Sequence, residues 1–347
     1  MFFKNFMVQS FQMDVSGKNI LILRLGALGD IVHTTVIAQA IKNAYPNCKI
    51  TYCVEDRYAE VIENTSYIDK IIPYDTKQRK KFGYNLKLAL MLRKEKFDVI
   101  FNLTNALRNN IISLIVNPKT LIFHKKDRNI HVVENFFNTA SERIDNLTLP
   151  QNLSLGVCQK SFERVKNDIS AYKRPYFIFS PGGSSDKNRQ GRIWNKNYWI
   201  MLGNLLVQEF GGTVIITGAK NELEFHKQIA DGISNSVIFT GKLSLTEIKC
   251  LYKQADLFIA GDTGPLHIAS ALGIDTLGIF GSTDVKNVAP YGEKGHYVCP
   301  DTEECRFCWE KHCRFLKDDE IYTPCMQSIK PKKVFELIKS KIMLRCL

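Results

Sequence analysis

Short apolar runs alternate with amphipathic stretches along two segments of the chain, and a polar segment around residues 165–175 separates them. The first segment opens with NILILR at 19–24, apolar enough for a strand buried on both faces. From residue 30 to about 44, Ile31, Thr34, Ile37, Ala38 and Ile41 fall on one helical face, and Pro46 with Asn47 ends the pattern. Strands are predicted at 49–54, 70–73 and 97–102, with helices at 55–63 and 84–94 between them, and a further helix and strand within 104–123. The second segment predicts strands at 176–180, 213–217, 237–240, 256–260 and 276–280. Helices at 197–210, 220–231, 244–254 and 265–272 separate them, with Ser244 as an N-cap, and a last helix runs from 331 to 343. This rhythm predicts an α/β protein with two Rossmann-like halves and parallel sheets. The expected bounds are 1–172, 173–330 and a C-terminal helix in 331–347.

Composition narrows the class without choosing a function. With 347 residues, 45% hydrophobic and 24% charged, the chain is long enough for two packed cores and too apolar for disorder. No apolar run is long enough to span a bilayer. Residues 1–17 lack the apolar core and cleavage site of a secretion signal and read as a tail; an amphipathic surface segment or sequence upstream of Met13 fits as well. Without such a signal the expected location is cytoplasmic and reducing. The net charge of +12 favours acidic partners, whether nucleic acid, anionic membrane or phosphorylated substrate, or is simply a solvated surface.

Three loops at strand-to-helix junctions carry the candidate chemistry. In AGDTGPLH at 260–267, Gly261 and Gly264 allow close backbone approach, and Pro265 suits a first helical turn. The free amides of that turn make an anion site, with Asp262, Thr263 and His267 beside it. The bland alternative is that Asp262 or Thr263 is only an N-cap. In RLGALGDIVH at 24–33, the loop Gly26, Ala27, Leu28, Gly29 precedes Asp30, a carboxylate able to accept a hydroxyl proton. Asp30 reads equally as an N-cap, and His33 as a satisfied packing histidine. The spacing is not G-x-G-x-x-G, which argues against a dinucleotide oxidoreductase. In SPGGSSDKNRQGRIW at 180–194, Ser180, Gly182 and Gly183 are followed by Ser184, Ser185, Lys187, Arg189 and Arg192, a basic loop suited to phosphates or a solvated loop. Trp194 and Trp199 are expected to pack. No Asp-x-Asp pair is present, which favours phosphate binding by amides and cations rather than through a metal.

Ten cysteines are present. Cys48, Cys53, Cys158 and Cys250 are expected as buried thiols. Cys305, Cys308, Cys313 and Cys325 have spacing that fits a structural Zn or Fe site, with Cys299 or His312 as substitutes, or a packed set of reduced cysteines.

The blocks at 24–33, 180–194 and 261–267, in that order, resemble the ADP-heptose lipopolysaccharide heptosyltransferase family, glycosyltransferase family 9, over about residues 19–342. The Cys305 to Cys325 segment resembles a tail found in part of that family. The resemblance implies a GT-B fold, an inverting reaction that needs no metal, and a C-terminal helix packing back on the first domain. It implies Asp30 as general base and Arg192, where the family often has Lys, neutralising the departing diphosphate. The donor site would include Asp262, Thr263 and Gly264, with Glu222 near the nucleoside; Glu222 reads alternatively as a first-turn helix carboxylate. The expected donor is ADP-heptose and the expected acceptor an anionic glycolipid of the lipopolysaccharide core, at the inner membrane surface, with no nucleic acid partner. A protein hydroxyl as acceptor and another nucleotide sugar as donor are alternatives. A metal-stabilised nucleic-acid-binding protein is the rival of another class.

Overall fold

A computed structural model of the chain describes residues 12–104, 106–182, 192–301, 305–310, 312–316 and 320–342. Two parallel sheets form the framework. The first holds β1 (Asn19–Leu23), β2 (Lys49–Glu55), β3 (Lys70–Tyr74), β4 (Val99–Asn102) and β5 (Thr120–Phe123), in the order β3-β2-β1-β4-β5. Its helices are α1 (Leu28–Ala44), α2 (Ala59–Ile62), α3 (Phe82–Lys94), α4 (Leu107–Val116) and α5 (Val132–Ser141). After α6 (Gln159–Ile169) comes the second sheet: β6 (Tyr176–Ser180), β7 (Thr213–Ile216), β8 (Ser236–Ile238), β9 (Leu257–Gly261), β10 (Thr276–Ile279) and β11 (Gly295–Val298). Its order is β11-β10-β9-β6-β7-β8. The helices of this half are α7 (Lys196–Phe210), α8 (Leu223–Ala230), α9 (Leu245–Tyr252), α10 (Gly264–Ala271), α11 (Val285–Val288), α12 (Pro324–Ser328) and α13 (Pro331–Lys341).

The α/β class and the parallel sheets match expectation. β1 is a buried NILIL run flanked by β2 and β4, and β6 is a fully buried YFIFS run flanked by β7 and β9. In each sheet the strand order reverses beside the first strand, which opens a crevice at the C-terminal strand edge. Ser244 caps α9 as predicted, accepting from the Glu247 amide while Glu247 Oε2 accepts from the Ser244 amide at 2.7 Å. Helices α5 and α6, the short α11 and α12, and the edge strand β11 were not anticipated. Helix α6 runs into the start of the segment read as a polar break, and it packs on α9 of the second half.

The last helix departs from expectation. Val334, Phe335 and Ile338 of α13 join the core under α7 with Phe177, Trp199 and Leu206, so α13 packs on the second half and not on the first. Its apolar stripe meets an apolar face of the sheet that carries α7, which provides the burial it needs. Gly183, Ser184, Ser185, Lys187 and Arg189 lie outside the described residues, as do residues 1–11 and 343–347.

The two halves are joined by buried polar contacts. Lys249 of α9, fully buried, donates to the carbonyls of Val61 (2.9 Å), Glu63 (2.8 Å) and Gly156 (3.0 Å). Glu60 of α2 accepts from the Thr246 amide at 2.9 Å, at the start of α9. Asn287 donates to Arg128 O at 2.5 Å and Ile130 O at 2.9 Å. One apolar core runs through both halves, from Ile20 and Val36 to Leu251, Phe258 and Leu266.

Replacing Lys249 by Met removes the donor to the carbonyls of Val61, Glu63 and Gly156. Lys249→Met is expected to lower unfolding free energy by about 2–3 kcal/mol, read from urea denaturation, because each orphaned buried acceptor costs roughly 1 kcal/mol.

Candidate functional site

Helices α1 and α10 start where β1 and β9 end, and their first turns meet across the two halves. A Cβ on Gly29 would lie 2.8 Å from His267 Cδ2, and one on Gly264 would lie 2.5 Å from Leu28 Cδ2. Both positions therefore need glycine for this approach. The N-cap of α1 is Ala27 and that of α10 is Thr263, and neither side chain caps its helix. Thr263 Oγ1 turns to Gly261 O at 3.4 Å instead. The readings of Asp30, Asp262 and Thr263 as capping side chains are thus set aside: Asp30 sits in the first turn of α1, and both carboxylates are committed to guanidinium groups.

A cavity of about 760 Å³ opens at this junction. It is lined by Ala27, Leu28, Gly29 and Asp30 from the first half. Ser180, Gly182, Arg192, Glu222, Asp262, Thr263, Gly264, Pro265 and His267 line it from the second. Gly26 does not line it; it makes the turn behind the wall, at φ 87°, where a Cβ would come 3.3 Å from Glu55 Oε1.

On the first-half wall, Asp30 is paired with Arg24, whose Nη2 bonds Oδ2. Arg24 Nη1 donates to Leu103 O at 2.5 Å, which fixes the guanidinium. The Asp30 side chain keeps 38% of its surface exposed, so the carboxylate still faces the cavity. Sequence reasoning missed Arg24 because it closes a strand; nothing in the spacing marks it as Asp30's partner.

On the opposite wall, Arg192 Nη1 lies 3.1 Å from Asp262 Oδ2 and 3.4 Å from Asp262 O. His267 Nε2 is 3.6 Å from Asp262 Oδ1. Burial of Asp262 works to raise its pKa, but the His267 imidazole and the Arg192 guanidinium outweigh it and hold the carboxyl below the ordinary range. Asp262 is 5% exposed. A buried anion already engaged in this way orients Arg192 more readily than it meets another anion.

His33 packs edge-on against His267, with ring centroids 4.2 Å apart. It is buried, as expected of a packing histidine, but neither ring nitrogen has a hydrogen-bond partner among the described residues. Burial first, and then the neighbouring His267 and His131 rings, push its pKa well below the usual value and keep it neutral. Glu222 is a first-turn carboxylate, its Oε2 accepting from the Ala219 amide at 2.7 Å, and it also lines the cavity. Gly182 O faces His226 Nε2 at 3.3 Å, and burial lowers the His226 pKa to about 4. Trp194 and Trp199 are fully buried and pack against one another, as expected.

Further lining residues were not foreseen. His124, Lys126 and Arg128 follow β5, and Asn135 and Phe136 come from α5. The basic run at 125–128 was a signal in the sequence that went unused. Trp309 lines the cavity too, carried there by the cysteine-rich segment through Trp309 N to Ser282 O at 2.8 Å.

The cysteines themselves are free thiols. Cys325 is buried, Cys305 and Cys313 are half-buried, and Cys308 is exposed. Burial pushes the Cys325 thiol up to about 11. Among the described residues no group of three or more His, Cys, Asp or Glu is placed to hold a metal ion. Cys305, Cys308 and Cys313 are near enough to Cys325 to act on its thiol, but the described residues do not support the metal reading of Cys305, Cys308, Cys313 and Cys325. Cys158, expected buried, is instead partly exposed at the start of α6.

The sequence pattern of glycosyltransferase family 9 (heptosyltransferase) matches residues 85–318. Lipopolysaccharide heptosyltransferase 1 of Campylobacter coli is 28% identical over 291 residues, 76% of this chain and 84% of that protein. The structure of E. coli ADP-heptose lps heptosyltransferase II has a TM-score of 0.76 at 17% identity, covering 95% of this chain and 100% of the other. TibC, described as a dodecameric iron-containing heptosyltransferase in complex with ADP-D-beta-D-heptose, has a TM-score of 0.58 at 14% identity, covering 96% of this chain and 78% of TibC. The two facing parallel sheets are the GT-B arrangement. The chain is a glycosyltransferase and belongs to glycosyltransferase family 9.

Proposed function

We propose that this enzyme transfers heptose from ADP-heptose to a hydroxyl of a lipopolysaccharide core or related anionic glycolipid, by inverting displacement and without a catalytic metal. One observation carries the reading: Asp30 and the 262–264 turn with Arg192 line a single cavity from opposite halves. A carboxylate on one wall and a positive helix end with a guanidinium on the other suit an alcohol and a diphosphate. The heptosyltransferase relatives, and the ADP-heptose named for two solved neighbours, support the donor.

In the proposed chemistry Asp30 takes the acceptor hydroxyl proton as the bond from the sugar anomeric carbon to the diphosphate lengthens. Arg24 pairs with one oxygen of the carboxylate and holds the side chain at the cavity wall. Negative charge grows on the diphosphate, and Arg192 with the first-turn amides of α10 meets it. Asp262 holds the guanidinium ready, so little reorganisation accompanies the charge transfer. Lys126 and Arg128 add positive charge beside the acceptor wall, in keeping with an anionic acceptor.

Asp30→Asn is expected to lower transfer by about 10²–10⁴-fold, the usual worth of a general base, while ADP affinity measured by calorimetry stays near wild type. Retained turnover would remove Asp30 from that role. Arg192→Ala is expected to cost about 10²–10³-fold in rate and to weaken donor binding, a pattern separable by kcat and KM. Treatment with EDTA followed by desalting is expected to leave transfer unchanged; a rate that collapses and returns with added Fe or Zn contradicts the metal-free reading. The donor itself is tested by incubating the enzyme with a panel of nucleotide sugars and measuring nucleotide diphosphate release. Preference for a nucleotide sugar other than ADP-heptose overturns the assignment.

A further inference from the structure

Helices α3 and α4 lie side by side over one face of the first sheet, sending Leu88, Leu92, Ile112 and Val116 into the core. The other face of that sheet is covered by α1 and α5, in the core shared with the second half. The α3–α4 layer is therefore the outer side of the first half. An outer helix side is ordinarily polar. Here α4 turns Leu107, Ile111 and Leu114 to solvent, at i, i+4 and i+7, and Leu107 and Leu114 are 77% and 64% exposed. Helix α3 exposes Phe82 at 72%, with Leu90 and Met91 further along. On α4 this is a second apolar stripe, while on α3 the exposed apolar side chains are spread around the helix, and no element of the described chain covers Leu107, Leu114 or Phe82.

Charge gathers in the same stretch. Residues 77–128 carry thirteen Lys and Arg against three Asp and Glu, a net +10 of the chain's +12. Apolar side chains set among cations suit an anionic bilayer, where the first enter the headgroup boundary and the second meet lipid phosphates. A second copy of the chain would bring a like-charged surface, which the same +10 opposes. Nucleic acid would answer the cations and leave the apolar stripe in water.

Topology ties this surface to the cleft. Helices α3 and α4 follow β3 and β4, so Phe82 and Leu107, their first residues, stand at the strand edge where the cavity opens. The basic stretch ends in Lys126 and Arg128, which line the cavity.

We propose that the α3–α4 face seats the enzyme on an anionic lipid surface, with the Asp30 wall of the cleft turned toward the headgroups. The proposal rests on the glycolipid reading of the acceptor for its purpose, though its test needs no sugar transfer. The full chain is mixed with vesicles of phosphatidylethanolamine and phosphatidylglycerol, or of phosphatidylcholine alone, and sedimented. Binding is expected to the anionic vesicles, about tenfold stronger than to phosphatidylcholine and reduced by high salt. The triple variant Phe82→Ser, Leu107→Gln, Leu114→Gln is expected to bind at least about tenfold more weakly, with an unchanged melting temperature because all three positions are exposed. Its nucleotide release with a lipid-free acceptor sugar stays at the wild-type rate. The proposal fails if wild type does not sediment with anionic vesicles, or if the variant binds as well as wild type. It fails also if light scattering without vesicles shows an oligomer that the variant dissolves, which assigns the face to a second copy. Absence of nucleotide release by wild type would count against the transfer reading and leave the vesicle result standing.

Discussion

The head-on meeting of α1 and α10 is the constraint from which the rest of the site follows. Two helix starts, each with unpaired amides and a partial positive charge, are brought into contact at Gly29 and Gly264. Arg24 and Arg192 stand beside them. Such an arrangement concentrates positive potential in a walled space and is unfavourable unless anions share it. Asp262 and Asp30 supply part of that compensation from within the protein. The remainder is available to a phosphorylated ligand.

The two carboxylates, although each is paired with an arginine, are placed for different work. Asp262 is buried between Arg192 and His267, where its charge serves orientation. Asp30 is paired on one oxygen and remains partly open to the cavity. The difference is one of burial: Asp262 is 5% exposed, whereas the Asp30 side chain keeps 38% of its surface. Behind them His33, kept neutral by burial, packs edge-on against the His267 ring.

Much of this was legible from the chain. The strand-and-helix rhythm marked the sheets, because parallel strands buried on both faces leave unbroken apolar runs such as NILIL and YFIFS. The glycine loops were visible through spacing, and described residues of all three line one cavity. Helix α6 was passed over because its many charged and polar residues read as a break, although Phe162, Val165 and Ile169 fall at i, i+3 and i+7 in QKSFERVKNDI and face the core. Strand β11 is four residues at a sheet edge with only Val298 buried. Pairings such as Arg24 with Asp30, or Asn287 with the carbonyls of Arg128 and Ile130, depend on which loops the fold brings together, and no local pattern records them. The destination of α13 was misjudged for the same reason: an apolar stripe announces that a helix will be covered, not by what.

That destination matters for Arg192. Two residues on, the Trp194 indole donates to Ile329 O at 2.8 Å, and the ring lies in the cluster formed by Met326, Val334 and Ile338. The tail of the polypeptide is thus the floor on which the donor-side cation stands. Shortening the chain before residue 324 removes a foundation as well as an ornament, and damage there reaches the reaction centre through the tryptophan, without any change in a residue that meets substrate.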